Sequence, residues 1–121
     1  MTQARQSFGK IGEDLACAEL ERRGYAILAR RYRLRTGEID IIARDGRAIV
    51  FVEVKARRNR QFGSGAEAVT ALKQRRLIQV ALDYMARHGY VECACRFDVV
   101  SIHLDAGGPE IEVIQNAFGA V

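Results

Sequence analysis

The stretch Gly37–Arg58, GEIDIIARDGRAIVFVEVKARR, decides the fold. Two apolar-rich runs flank Asp45-Gly46, and Asp-Gly between such runs is a strong hairpin signal. A two-residue turn at that dipeptide makes Arg44 oppose Arg47, Asp40 oppose Phe51 and Glu38 oppose Glu53. Side chains alternate along a strand. One face then carries Ile39, Ile41, Ala43, Ala48, Val50, Val52, Val54 and Ala56, all apolar and predicted to be core. The other is mixed, with Ile42, Ile49 and Phe51 near the turn and Glu38, Asp40, Glu53 and Lys55 at the open end.

Three carboxylates and a lysine thus gather where the hairpin opens. Two carboxylates about 5 Å apart repel by roughly 3 kcal/mol at an effective dielectric of about 20. A divalent cation on Asp40 and Glu53 relieves that repulsion, and hard oxygen ligands suit magnesium. A solvated strand end with Glu38–Lys55 and Glu53–arginine pairs is the plain alternative. The spacing leaves both readings open.

The rest of the chain narrows the class. A length of 121 residues predicts one domain, 1–121, and 49% hydrophobic residues with a single proline argue against disorder. No apolar run approaches the ~20 residues of a membrane span. The N-terminal MTQARQSFGKIGED lacks the apolar segment of a signal peptide, so the expected location is the cytoplasm. Cys17, Cys93 and Cys95 match no C-x-x-C pattern and are expected to be small buried thiols. The net charge of +4 comes from 16 arginines and 3 lysines against 15 acidic residues. Guanidinium forks match phosphate in two-pronged contacts, which suits nucleic acid.

Upstream of the hairpin, Ser7–Arg23 reads as a helix stopped by Gly24, with an apolar stripe of Phe8, Ile11, Leu15, Ala16 or Ala18, and Leu20. Glu13 falls in its first turns, among Gly9, Gly12 and Ala16. There it serves as a surface partner of the helix dipole or faces a metal site. Tyr25–Tyr32 reads as a strand, and Arg30, Arg31, Arg33 and Arg35 lead to the hairpin's open end. Arg57, Arg58 and Arg60 leave from the same end, so arginines border the carboxylates.

Downstream, Gln61–Gly65 is a glycine-containing loop expected to be mobile, without the G-K-[ST] ending of a P-loop. Thr70 can cap a helix Ala71–His88 ended by Gly89, with Leu77, Ile78, Ala81, Leu82 and Met85 as its buried stripe. Lys73 and Gln74 lie one turn earlier and lean inward, where polar groups need partners. Glu92–Leu104 and Glu110–Gln115 read as strands. His88 and His103 stand apart from the acidic cluster and receive no chemical role.

Taken in order, these pieces resemble the PD-(D/E)xK nuclease superfamily and, more narrowly, the YraN family of small bacterial proteins related to archaeal Holliday-junction resolvases. The resemblance rests on GKIGEDLA (9–16), RGYAILARRYR (23–33), GEIDIIA (37–43), VFVEVKAR (50–57), FGSGAEAV followed by LKQRRL, RFDVVSI (96–102) and QNAF (115–118). Ile39 stands where the superfamily's signature has proline. The resemblance implies an α/β fold, a restriction-endonuclease-like αβββαβ core with a mixed central sheet flanked by helices.

It also implies a metal-dependent DNA endonuclease in which Asp40, Glu53 and Glu13 hold magnesium, with manganese as the alternative. Lys55 would handle the attacking water and Gln74 would complete the site. Arg33, Arg35, Arg57, Arg58 and Lys73 would hold phosphates of DNA, branched DNA included. No membrane partner is expected. A homodimer would suit the two-fold symmetry of a four-way junction. The rival reading is a non-catalytic nucleic-acid-binding adaptor that retains the nuclease fold.

Overall fold

The structure, a computed structural model, describes residues 2–58, 69–105 and 107–119, with side chains from residue 9 onward. The expected loop at Gln61–Gly65 lies outside the described residues. Helix α1 (Thr2–Arg22) is followed by β1 (Ala26–Leu34), β2 (Gly37–Asp45), β3 (Ala48–Arg57), α2 (Ala71–Arg87), β4 (Cys95–Asp105) and β5 (Gly108–Phe118). The five strands form one mixed sheet in the order β1-β2-β3-β4-β5. Neighbours are antiparallel except β3 and β4, which run parallel across the α2 crossover. This is the αβββαβ order expected, extended by a fifth strand on the far edge.

The two helices cover opposite faces. Ala16, Cys17 and Leu20 of α1 bury Ile41, Ala43, Val50, Val52, Val100 and Ile102. Leu77, Val80, Ala81, Tyr84 and Met85 of α2 bury Ile39, Ile42, Ile49, Phe51, Phe97 and Val99. Both faces of the hairpin are therefore core. Phe51, expected on a mixed face, is 2% exposed and packs against Tyr84 and Phe97, with ring centroids at 6.1 and 5.5 Å.

The turn is displaced by one residue from the expected Asp45-Gly46. Asp45 pairs with Ala48, leaving Gly46-Arg47 as the loop, and Gly46 takes φ +60°, which glycine adopts without steric cost. Ile42, not Asp40, therefore opposes Phe51. The shift of two in register leaves side chains near the turn on their expected faces.

Near the open end the alternation breaks in two strands at once. Ile39 joins the α2-side cluster although Ile41 is on the α1 side, and Tyr32 packs on the α2 side. The residues between are Asp40 and Arg31, which face each other across the β1–β2 ladder between the pairs Arg30↔Ile41 and Tyr32↔Ile39. Arg31 has φ +53°, a left-handed conformation uncommon outside glycine and asparagine. The expected placement of Ile39 beside Ile41 fails because the strand turns over at Asp40.

Helix boundaries shift the expected stripes. α1 begins at Thr2 rather than Ser7, so Glu13 sits mid-helix, too far from the N-terminus for a dipole partner. Ile11 is 50% exposed, and the buried line runs through Gly12, Glu13, Ala16, Cys17 and Leu20. On α2, Thr70 caps by accepting from Lys73 N–H at 3.2 Å, as expected. Leu82, however, is exposed, and Val80 and Tyr84 take its expected place in the stripe. Tyr84 gains its burial through T-shaped contact with Tyr32 at 5.1 Å and stacking on His88 at 4.0 Å. Cys17 is buried as expected, but Cys93 and Cys95 are exposed in and beside the turn that precedes β4.

One glycine fixes how closely α1 approaches the sheet. A Cβ on Gly12 would meet the Ala56 Cβ at 2.8 Å, whereas one on Gly9 of the same helix would meet nothing within 4 Å. Gly12→Ala is expected to destabilise by about 1–3 kcal/mol through overpacking. Gly9→Ala should stabilise by up to about 1 kcal/mol through helix propensity. Denaturant titrations of both variants check this pair, and shifts of the same sign would refute the close approach.

Candidate active site

The kink at Asp40 opens the sheet where the polar residues converge. One step past the Ile41↔Val52 pair, Asp40 of β2 comes level with Glu53 of β3. The Val54 N–H donates to Asp40 Oδ2 at 2.8 Å, so the carboxylate takes a donor that a continued ladder would have used. Glu53 is 5% exposed. Beneath it, the space between Ile39, Phe51, Leu77, Phe97 and Phe118 has no room for a water molecule. A buried carboxylate, Glu53, and a half-buried one, Asp40, thus share the strand end.

Burial, and next to it the Glu53 charge, push the Asp40 carboxyl up to about 7, while the Val54 N–H acts in the opposite direction. Two lysines answer the charge on Glu53. Lys55 Nζ lies 3.3 Å from its Oε2, and Lys73 of α2 binds the same oxygen. Burial disfavours the charge on Lys73, but its bond to Glu53, together with the charges of Glu53 and Asp40 and its bond to Lys55, outweighs that, and its pKa is raised on balance. The expectation that Lys73 leans inward is met, with a carboxylate as its partner.

Gln74 turns elsewhere. Its amide donates to the Val69 carbonyl at 2.9 Å and ties down the approach to α2. Glu13 is buried, as a site residue would be, but arginines hold it. Arg30 reaches its Oε1 at 2.9 Å through Nε, and Arg31 Nε reaches its Oε2 at 3.1 Å. Glu13 still contributes to the field that raises Asp40. Among the described residues no three acidic, histidine or cysteine side chains gather closely enough to hold a metal ion.

The rim is basic. Arg33 forks onto Glu38 at 3.0 and 2.7 Å, so Glu38 pairs there and not with Lys55. Arg35 is exposed, and Arg57 and Arg58 end β3 half-buried and exposed. Beside the carboxylates, a recess of about 220 Å³ is lined by Thr36, Gly37, Glu38, Thr70, Leu72, Lys73, Arg76 and Leu77. Arg76 joins Lys73 at this recess. Its spacing of three from Lys73 marks it in the sequence, since residues three apart on a helix are neighbours. Nothing in the sequence marked the backbone of Arg31.

The chain matches the model of the uncharacterised protein family UPF0102 over residues 12–102. A UPF0102 protein of Geobacter metallireducens is 48% identical over 118 residues, covering 98% of this chain and 97% of that one. A UPF0102 protein of Symbiobacterium thermophilum is 51% identical over 113 residues, covering 93% and 96%. One from Syntrophus aciditrophicus is 48% identical over 118 residues, covering 98% and 92%. The matched span holds every carboxylate and lysine of the site, Glu13 to Lys73. On these matches, and with the sheet and helix order expected of it, the chain belongs to UPF0102, the YraN family.

Proposed function

We propose that this protein is a metal-dependent DNA endonuclease. The observation that carries the reading is the pair Asp40 and Glu53, one half-buried and one buried carboxylate level across the β2–β3 ladder, with Asp40 held near 7 by burial and by its neighbour's charge. Burying such a pair costs stability, and a cation site explains why the chain tolerates it.

The donor set fits magnesium: both groups offer hard oxygens, and the Lys73 ammonium already stands on Glu53 as a positive charge would. Asp40 and Glu53 would hold the ion. When bound, it polarises a phosphoryl oxygen and lowers the pKa of an attacking water.

The chain's own residues do the rest. Lys55, fixed beside Glu53, orients the water and offsets charge developing on the phosphoryl group. Lys73 is set to turn from Glu53 to a phosphate oxygen once another cation neutralises that carboxylate. Arg33, Arg35, Arg57 and Arg58, with Arg76 in the neighbouring recess, hold flanking phosphates, which positions DNA without reading its sequence.

The adaptor reading draws on one observation, that Glu13 is committed to Arg30 and Arg31 rather than to the carboxylate pair. Cleavage separates the two. Incubation with branched, flapped and linear DNA is expected to give cuts with magnesium or manganese and none with chelator. Lys55→Ala should lower the rate by about 10²-fold or more while binding persists. Intact DNA under every metal condition would leave the adaptor.

A further inference from the structure

Adjacent strand residues point to opposite faces, yet Arg30 and Arg31 both reach Glu13. The left-handed backbone of Arg31, φ +53°, makes this possible. Such a conformation in an arginine is strained and persists only where its surroundings enforce it. Here the enforcement is visible. Glu13, with its side chain 8% exposed, accepts from Arg31 Nε at 3.1 Å. Arg30 closes the other side of that carboxylate and also binds Asp14 at 2.7 Å.

Arg31 itself is 54% exposed, and among the described residues Glu13 is its only partner. Glu13 takes Nε, and among the described residues the two Nη groups make no hydrogen bond. They belong to the residue directly across the ladder from Asp40. A guanidinium anchored through Nε presents a planar pair of donors matched to a phosphodiester.

We propose that Arg31 is the arginine that grips the substrate phosphodiester beside Asp40, and that Glu13 acts as its positioning residue. This rests on DNA as the ligand proposed above. It gives Glu13 a different job from the magnesium ligand expected from resemblance. Preorganisation is the gain, since the side chain is already ordered before substrate arrives.

The test is duplex binding in chelator together with melting in magnesium, for Arg31→Gly, Glu13→Gln and the double variant. Glycine accepts the left-handed backbone, so Arg31→Gly is expected to fold, and its melting temperature checks that. Arg31→Asn, which also tolerates this region, is the second choice if glycine loosens the strand.

Arg31→Gly should weaken DNA binding about ten-fold, the loss expected of one charge-assisted contact. Glu13→Gln should weaken it too, although removing a negative charge near DNA would by itself strengthen binding. The double variant should bind no more weakly than Arg31→Gly, as expected of groups acting as one unit. All three should keep the magnesium-induced rise in melting temperature.

If Glu13→Gln abolishes that rise and leaves chelator binding unchanged or tighter, Glu13 is a metal ligand and the inference is wrong. Unchanged affinity in Arg31→Gly also overturns it. Wild-type protein that binds no DNA would instead overturn the function on which it rests.

Discussion

Asp40→Asn is expected to raise the stability of the metal-free protein above neutral pH and to remove most of its response to magnesium. The sign follows from linkage. In the folded protein the Asp40 carboxyl is pushed up to about 7, against 3.8 for the free side chain. Between those values the folded state binds a proton that the unfolded state has released, so stability falls as pH rises through that window. A tenfold change in proton affinity corresponds to about 1.4 kcal/mol, which makes a few kcal/mol the upper scale of the penalty at pH 8. Asparagine keeps an acceptor for the Val54 N–H and carries no charge. The variant should therefore match wild type near pH 4, exceed it at pH 8, and show a flatter profile between.

Magnesium should reverse the order at pH 8. A ligand at a hundred times its Kd stabilises by about 2.7 kcal/mol, and only the wild type has both carboxylates to hold it. Thermal melts of both proteins at pH 5 and pH 8, in chelator and in millimolar magnesium, give the four comparisons. A strongly destabilised Asn variant in chelator, with no magnesium effect in wild type, would make the carboxylates structural partners. The nuclease reading would then fail.

The sequence made the hairpin and its acidic end visible because both are local. Asp45-Gly46 announces a turn, and Glu53 and Lys55 share a face by their spacing of two. The alternation of Val50, Val52, Val54 and Ala56 was likewise legible, since β3 stays regular. The Lys73–Glu53 contact was half legible: helical spacing turned Lys73 inward, but only the packing of α2 over β2 and β3 supplies its partner.

What escaped depends on backbone irregularity and on contacts between distant segments. The turnover at Asp40 and Arg31 leaves no mark in composition, because the left-handed residue is an arginine, not a usual choice for that conformation. Period-two reasoning therefore carried Ile39 to the wrong face. Tyr84 was passed over in the α2 stripe because its burial comes from Tyr32 and Phe51 on other strands. RFDVVSI and QNAF served only as marks of family, although each contributes two members of a buried polar network.

That network gives the other large effect. Arg96→Met is expected to cost about 3–5 kcal/mol, the usual penalty for removing one partner of a buried ion pair. Asp98 is 0% exposed. Arg96 Nε donates to its Oδ1 at 3.0 Å, Tyr25 O–H to its Oδ2 at 3.3 Å, and the Asn116 N–H to its Oδ1 at 2.9 Å. The last bond crosses to β5 where the β4–β5 register shifts between Phe97 and Val99 and Asn116 takes φ +53°. Asp98 thus fastens a bulge in the edge strand and ties it to Tyr25, which Gln115 also binds at 2.9 Å. Arg96 Nη2 spans from Tyr25 to Asp45 at 2.7 and 2.9 Å, joining the hairpin turn to the same cluster.

Methionine preserves the bulk of Arg96 but leaves the Asp98 charge buried with only neutral donors. For a chain of this size the loss should lower the melting temperature by about 10–20 °C. Arg96→Met combined with Asp98→Asn should recover part of it, because the amide still accepts from Asn116 and no buried charge remains. Chemical denaturation of the single and double variants decides. A single variant within about 1 kcal/mol of wild type, or a double variant worse than the sum of its parts, would show that this carboxylate is not what pins β5 to the core.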